Sequence, residues 1–189
     1  MQKSQGFTLI ELMVTVAVLA VLLTLASPSF SDFFQRYRLR GAADKVVNTL
    51  ASARAEAVMR NRDVSIDFKG SAGSWCMGAN AAPDPATLGE LVGSADACDC
   101  TVANSCKVAD GRELVVTTSQ VEGVTLSANP GALLFSSRTG ATSPVGTTAT
   151  TTLASPNGKF KLRLDVSALG RATLCVPSGE PAMAGFKSC

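Results

Sequence analysis

From Phe7 to Leu25 the sequence reads FTLIELMVTVAVLAVLLTL, nineteen residues carrying one charge, Glu11. As a helix this run spans about 28 Å against a hydrocarbon core of about 30 Å, so it has the length to cross a bilayer once. A secretory signal peptide is the competing reading, with Thr24-Leu25-Ala26 as a small-x-small cleavage site. Two features count against it: a normal h-region holds only about 7 to 15 apolar residues, and an unpaired carboxylate within it is costly.

Beyond the run, Ser27-Pro28 interrupts the helical pattern, because proline removes a donor and crowds the preceding turn. A kink or local melting is expected at Pro28. The helix is then expected to resume, with Leu39, Ala43, Val46, Leu50, Ala53 and Ala57 at steps of three and four along one face and Asp44, Lys45 and Asn48 opposite. Phe30, Phe34 and Tyr37 extend that stripe towards the membrane. A helix from about Phe7 to about Met59 would be roughly 80 Å long, a length that suits a spine embedded among sister helices.

After Arg62 the period changes to two. Strands are expected at 64–68, 113–117, 124–127 and 133–136, and Asn157-Gly158 reads as a hairpin turn leading into Phe160, Leu162, Leu164 and Val166. A further strand is expected at 172–176 after a turn at Gly170. Residues 70–110 read as loop, and 147–152, nearly all Thr and Ala, fit either an exposed strand or a loop. An amphipathic helix followed by antiparallel strands makes an α+β domain with the stripe lying on the sheet. The expected organisation is a leader at 1–6, a transmembrane and assembly helix at 7–27, its amphipathic half at 28–62, and an exported β-rich domain at 63–189.

The N-terminus resembles the class III leader of type IV prepilins: a short polar segment with Lys3, then Gly6-Phe7-Thr8-Leu9-Ile10-Glu11. The resemblance implies that a prepilin peptidase cuts after Gly6 and methylates the new N-terminal Phe7, leaving Glu11 as the fifth mature residue. Cleavage leaves an ammonium on Phe7, and that cation and the Glu11 carboxylate are both costly in an apolar bundle unless each meets an opposite charge. Glu11 then either registers one subunit against the next or pairs with its own N-terminus one turn away. Lys3 places the short side in the cytoplasm, although Arg36, Arg38 and Arg40 follow the span on the exported side.

The rest of the chain resembles the GspH/FimT family of minor pilins and pseudopilins. The resemblance is carried by Ala51-Ser52-Ala53-Arg54-Ala55-Glu56-Ala57, by Leu134-Phe135-Ser136-Ser137-Arg138-Thr139-Gly140, and by Leu169-Gly170-Arg171 before a Cys-containing strand. It implies a pilin-like fold and a subunit that joins other pilins or pseudopilins at the bacterial inner membrane, single pass with its C-terminal domain in the periplasm, and then enters a filament. The leading expectation is a minor pilin of a filament-initiating or tip complex; the alternative is a pseudopilin of a type II secretion system.

Six cysteines and no histidine point to disulfides in an oxidising compartment, not to metal or thiol catalysis. Cys175 is expected to pair with Cys189, leaving Cys76, Cys98, Cys100 and Cys106 to tie down the loop between Trp75 and Lys107. A bond between Cys98 and Cys100 is disfavoured by disulfide geometry. A zinc site from those four is the alternative. No cofactor is expected, and with no catalytic histidine or phosphate loop in the sequence an enzyme is not expected either.

The net charge of +2 is small, but residues 131–189 hold six basic residues against two acids. Lys159, Lys161, Arg163 and Arg171 form a conceivable phosphate-contacting patch, with a solvated strand face as the plainer reading. Some FimT-type pilins bind DNA, and the resemblance implies a Gly-Arg-x-Arg motif. This chain has Gly170-Arg171-Ala172-Thr173, so only Arg171 carries over and DNA is a secondary expectation.

Overall fold

A computed structural model describes residues 7–82, 98–108, 111–127 and 130–189; side chains at 25–29 are outside the description. The leader, with Lys3 and Gly6, also lies outside the described residues. The chain divides into two units, 1–34 and 35–189, and one helix, α1 (Leu9–Arg60), contributes to both.

In the first unit the described side chains from Leu9 to Thr24 are exposed around the whole helix. Apolar side chains on every face call for cover from lipid or other helices. Among the described residues no helix is long and apolar enough to cross a membrane. The helix continues through Ser27 and Pro28, so the melting expected there is not found. Proline's fixed φ is itself helical, and its cost is one lost donor and crowding of the preceding turn.

The second unit is built on the helical stripe. Leu39, Ala43, Val46, Leu50, Ala53 and Ala57 are all essentially buried, as the three-and-four spacing predicts. They join one core with residues of two antiparallel sheets. The first sheet contains β1 (Val64–Ser71), β2 (Ser74–Ala81), β3 (Leu114–Thr117), β5 (Leu133–Phe135) and β6 (Thr142–Ser143), in the order β3-β2-β1-β5-β6. The second contains β4 (Thr125–Leu126), β7 (Ala149–Ala154), β8 (Lys161–Val166) and β9 (Ala172–Cys175), in the order β4-β7-β8-β9. The fold is therefore α+β, with the helix packed on antiparallel sheets.

The Asn157-Gly158 turn joins β7 to β8, with Gly158 at φ 72° and its N–H donating to Ser155 O at 2.7 Å. Phe160, Leu162, Leu164 and Val166 bury one face of the second strand. The threonine-rich stretch forms most of β7, in which Ala149, Thr151 and Leu153 alternate as buried residues.

Residues 70–110 are not simply loop, because β2 lies within them, paired with β1 from Val64↔Ala81 to Ser71↔Ser74. Trp75 through Ala79 is buried without alternation, so the strand lacks the period-two signature. Its glycine has a steric cause: a Cβ at Gly78 would lie 2.3 Å from Cys106 Sγ and 2.9 Å from Cys98 Sγ. Trp75 fixes the strand from its other end, Nε1 donating to Val124 O at 2.8 Å.

Candidate functional site

Helix α1 begins with a reciprocal cap. The Thr8 N–H and Oγ1 both donate to Glu11 Oε2 at 3.0 Å, and the Glu11 N–H donates to Thr8 Oγ1 at 3.3 Å. Thr-x-x-Glu is the capping-box spacing, in which each side chain satisfies a backbone donor that the first turn leaves unpaired. Glu11 thus has a role within its own chain besides any role between chains. Both bonds fall on Oε2, and Phe7, next to this cap, is exposed.

The three arginines beyond the apolar run are spread around the foot of the second unit. The Arg36 guanidinium lies 4.6 Å from the Phe160 ring centroid, Arg38 Nε lies 2.8 Å from Glu122 Oε2, and the Arg40 guanidinium lies 5.6 Å from the Phe186 ring centroid. They hold the helix to the turn before β8, to the residues after β3 and to the C-terminal tail.

The basic residues of the C-terminal part do not make a free patch: Lys161 and Arg163 lie on β8, and Arg171 lines a groove against α1. Lys161 Nζ contacts Glu180 Oε1 at 2.7 Å and Arg163 Nε contacts Asp165 Oδ2 at 2.9 Å. Lys159 Nζ sits 5.5 Å from the Phe160 ring centroid. Arg171 is exposed, and its backbone N–H donates to Ser167 Oγ at 3.2 Å. Two of the four cations already face carboxylates, which reduces what they offer a phosphate.

All six cysteines are paired, as Cys76–Cys100, Cys98–Cys106 and Cys175–Cys189. The first two bonds lie together against β2: Cys76–Cys100 ties the segment to that strand, and Cys98–Cys106 closes the segment on itself. The third closes the tail on β9. Asp165, Cys175 and Cys189 also bring one oxygen and two sulfurs close together, but the disulfide removes the thiolates a metal would need. Near the paired loop, Lys69 Nζ meets Asp99 Oδ2 at 3.2 Å. Hydrogen bonds from the Thr101 hydroxyl and N–H hold the Asp99 carboxyl below its ordinary pKa, whereas burial pushes the half-buried Asp67 up.

A junction that periodicity does not reveal sits at the upper part of the helix. Arg54 Nε donates to Gly140 O at 2.7 Å, and a Cβ at Gly170 would lie 2.3 Å from that same oxygen. Gly140 and Gly170 have φ of 65° and 74°. The three motifs that carry the family resemblance therefore meet at one point. Higher still, buried Glu56 pairs with Arg112 and Arg60, and buried Asp63 accepts the Ser137 N–H at 2.7 Å. Periodicity carries no signal for this junction; glycines after Thr139 and Leu169 mark its two turns.

Two family descriptions match the sequence: type II transport protein GspH over residues 42–170, and the prokaryotic N-terminal methylation motif over residues 1–27. Two fimbrial proteins of Pseudomonas aeruginosa are each 33% identical to it over 64 residues, 34% of this chain, and the chain spans 41% of the length of each. Two crystal forms of the type IV minor pilin FimU of Pseudomonas aeruginosa are similar in structure, with TM-scores of 0.46 and 0.42. Their identities are 20% and 21%, with 75% and 71% of this chain and 91% and 90% of theirs covered.

Proposed function

The chain belongs to the GspH family, and from that premise we propose that it is a membrane-anchored minor pilin, cut after Gly6 and built into a type IV pilus through its N-terminal helix. The observation that carries this reading is the methylation motif over residues 1–27 joined to a first helical stretch, Leu9 to Thr24, whose described apolar side chains are exposed on every face. Such a surface needs lipid before assembly and sister helices after it. Processing by a prepilin peptidase, a single pass of the inner membrane with the domain in the periplasm, and a place in the initiating or tip complex complete the proposal.

Glu11 has a double role in this scheme. Its Oε2 caps its own helix through Thr8, while the second carboxylate oxygen is available to the ammonium that cleavage creates on Phe7 of a neighbouring subunit. Glu11→Gln keeps an oxygen for the cap and removes the charge; Thr8→Ala does the reverse. We expect Glu11→Gln to be processed at Gly6 yet to be lost from sheared filaments, and Thr8→Ala to assemble. Equal incorporation of Glu11→Gln and wild type would contradict the registration role.

The family description, type II transport protein, also supports a second reading as a pseudopilin of a type II secretion system. Deletion of the gene separates the two: loss of surface pili supports the first, and loss of exoprotein secretion with pili intact supports the second. DNA uptake is the weakest reading, because Lys161 and Arg163 face Glu180 and Asp165.

A further inference from the structure

Strand β9 has an outer edge that the chain covers only in part. On the β8 side, the Ser167 N–H donates to Arg171 O at 3.0 Å. On the opposite side, the Val176 N–H donates to Lys187 O at 2.8 Å and the Cys189 N–H donates to Val176 O at 2.9 Å. Backbone groups alternate sides along a strand, so those of Ala172 and Leu174 point the same way as those of Val176, away from β8. The tail occupies Val176 through a parallel bridge to Ser188 and goes no further along β9. Ala172 and Leu174 have no outer backbone partner among the described residues.

The first of these open positions, Ala172, lines a groove of about 470 Å³ between α1 and the turn before β9. Val47, Ala51, Ala55 and Val58 make its apolar wall; among the described residues Arg54 and Arg171 are its only charged lining residues and no carboxylate lines it. Leu169, beside the turn, is 73% exposed. Unpaired main-chain donors and acceptors, an apolar wall and a basic rim thus occur together. Phosphates of a nucleic acid would meet Arg171 but leave the Ala172 and Leu174 carbonyls and the apolar wall without partners. An extended peptide supplies N–H groups, carbonyls and alternating side chains together.

We propose that this groove takes an extended, carboxylate-bearing segment of a neighbouring pilin-class subunit, added as a strand to the outer edge of β9 with its carboxylate on Arg171. The parallel pairing of Val176 with Ser188 shows the same edge accepting a strand from the chain's own tail. The choice of a pilin-class source rests on the assembly function proposed above.

The test uses the full-length chain in cells that build the filament, with a benzophenone amino acid at Thr139, which lines the groove, or at exposed Tyr37 on the helix as an assembly reference. The Thr139 probe is expected to cross-link one subunit at an extended segment containing Asp or Glu. Ala172→Pro removes an N–H that β8 does not use, and Arg171→Glu reverses the rim charge. Each is expected to lower that cross-link about tenfold, the loss of roughly one charge-assisted or main-chain hydrogen bond, with the Tyr37 cross-link retained. If the disulfide map shows that Ala172→Pro misfolds, Arg171→Glu alone decides. Cross-links from Tyr37 but none from Thr139, adducts from Thr139 to DNA or lipid, or a Thr139 adduct unaffected by either substitution would overturn the docking proposal and leave the assembly function standing. Silence at both positions would overturn both.

Discussion

Arg54 Nε donates to the Gly140 carbonyl oxygen across 2.7 Å, locking the second half of α1 to the turn that precedes β6. Gly170 closes the same junction from the other side, since its Cβ would meet Gly140 O at 2.3 Å and Arg54 Nε at 3.2 Å. Gly158 is the natural comparison, having a similar positive φ of 72° with nothing among the described residues within reach of a Cβ. Gly158→Ala is expected to cost about 1 kcal/mol from backbone conformation alone, and Gly170→Ala about 3 kcal/mol because overlap adds to the same strain. Urea unfolding of the two variants checks this; equal losses would mean the junction relaxes freely.

The disulfides give a direct chemical prediction. Peptide mapping without reductant is expected to recover Cys76 with Cys100, Cys98 with Cys106, and Cys175 with Cys189. Replacing Cys175 and Cys189 together by Ala is expected to lower unfolding stability by about 3 kcal/mol, the loop-closure value for a bridge across some 15 residues. The change also releases the tail that places Phe186 against Arg40.

Asp67 and Asp99 make opposite contributions to pH dependence. The carboxyl of Asp67 is raised by burial, so its folded state binds a proton more readily than the unfolded chain and stability falls as pH rises through that raised pKa. Asp99 is lowered by its Thr101 bonds, so its contribution is present above the ordinary Asp pKa and is lost as pH falls through the lowered one. Asp67→Asn is therefore expected to raise the thermal midpoint at pH 7 and to match the wild type below the ordinary Asp pKa, where both forms are neutral. A lower midpoint at pH 7 would show that its attraction to Lys69 outweighs burial.

Much of this architecture is legible because particular residues repeat at a period. The stripe from Leu39 to Ala57 and the alternation from Phe160 to Val166 each bury one face, so hydrophobic spacing reports them directly. Strand β2 escapes that logic because Trp75 to Ala79 is buried throughout and Gly78 answers to a disulfide formed by Cys98 and Cys106. The Arg54 junction is equally silent, since its acceptor is a backbone carbonyl 86 residues away. Lys161 and Arg163 look like a cationic patch in sequence. The acid that pairs Lys161 is 19 residues distant, but Asp165, two residues from Arg163 on the same strand face, was visible.

The central claim is that the helix becomes an assembly element only after the leader is removed. Mass spectrometry of the N-terminal peptide of the protein isolated from membranes or filaments tests it most directly. The expected peptide begins at Phe7 with one added methyl group, and Gly6→Val is expected to leave the leader attached and the protein out of filaments. A mature chain beginning after Ala26, or a chain still carrying Met1 to Gly6 within assembled filaments, would contradict it.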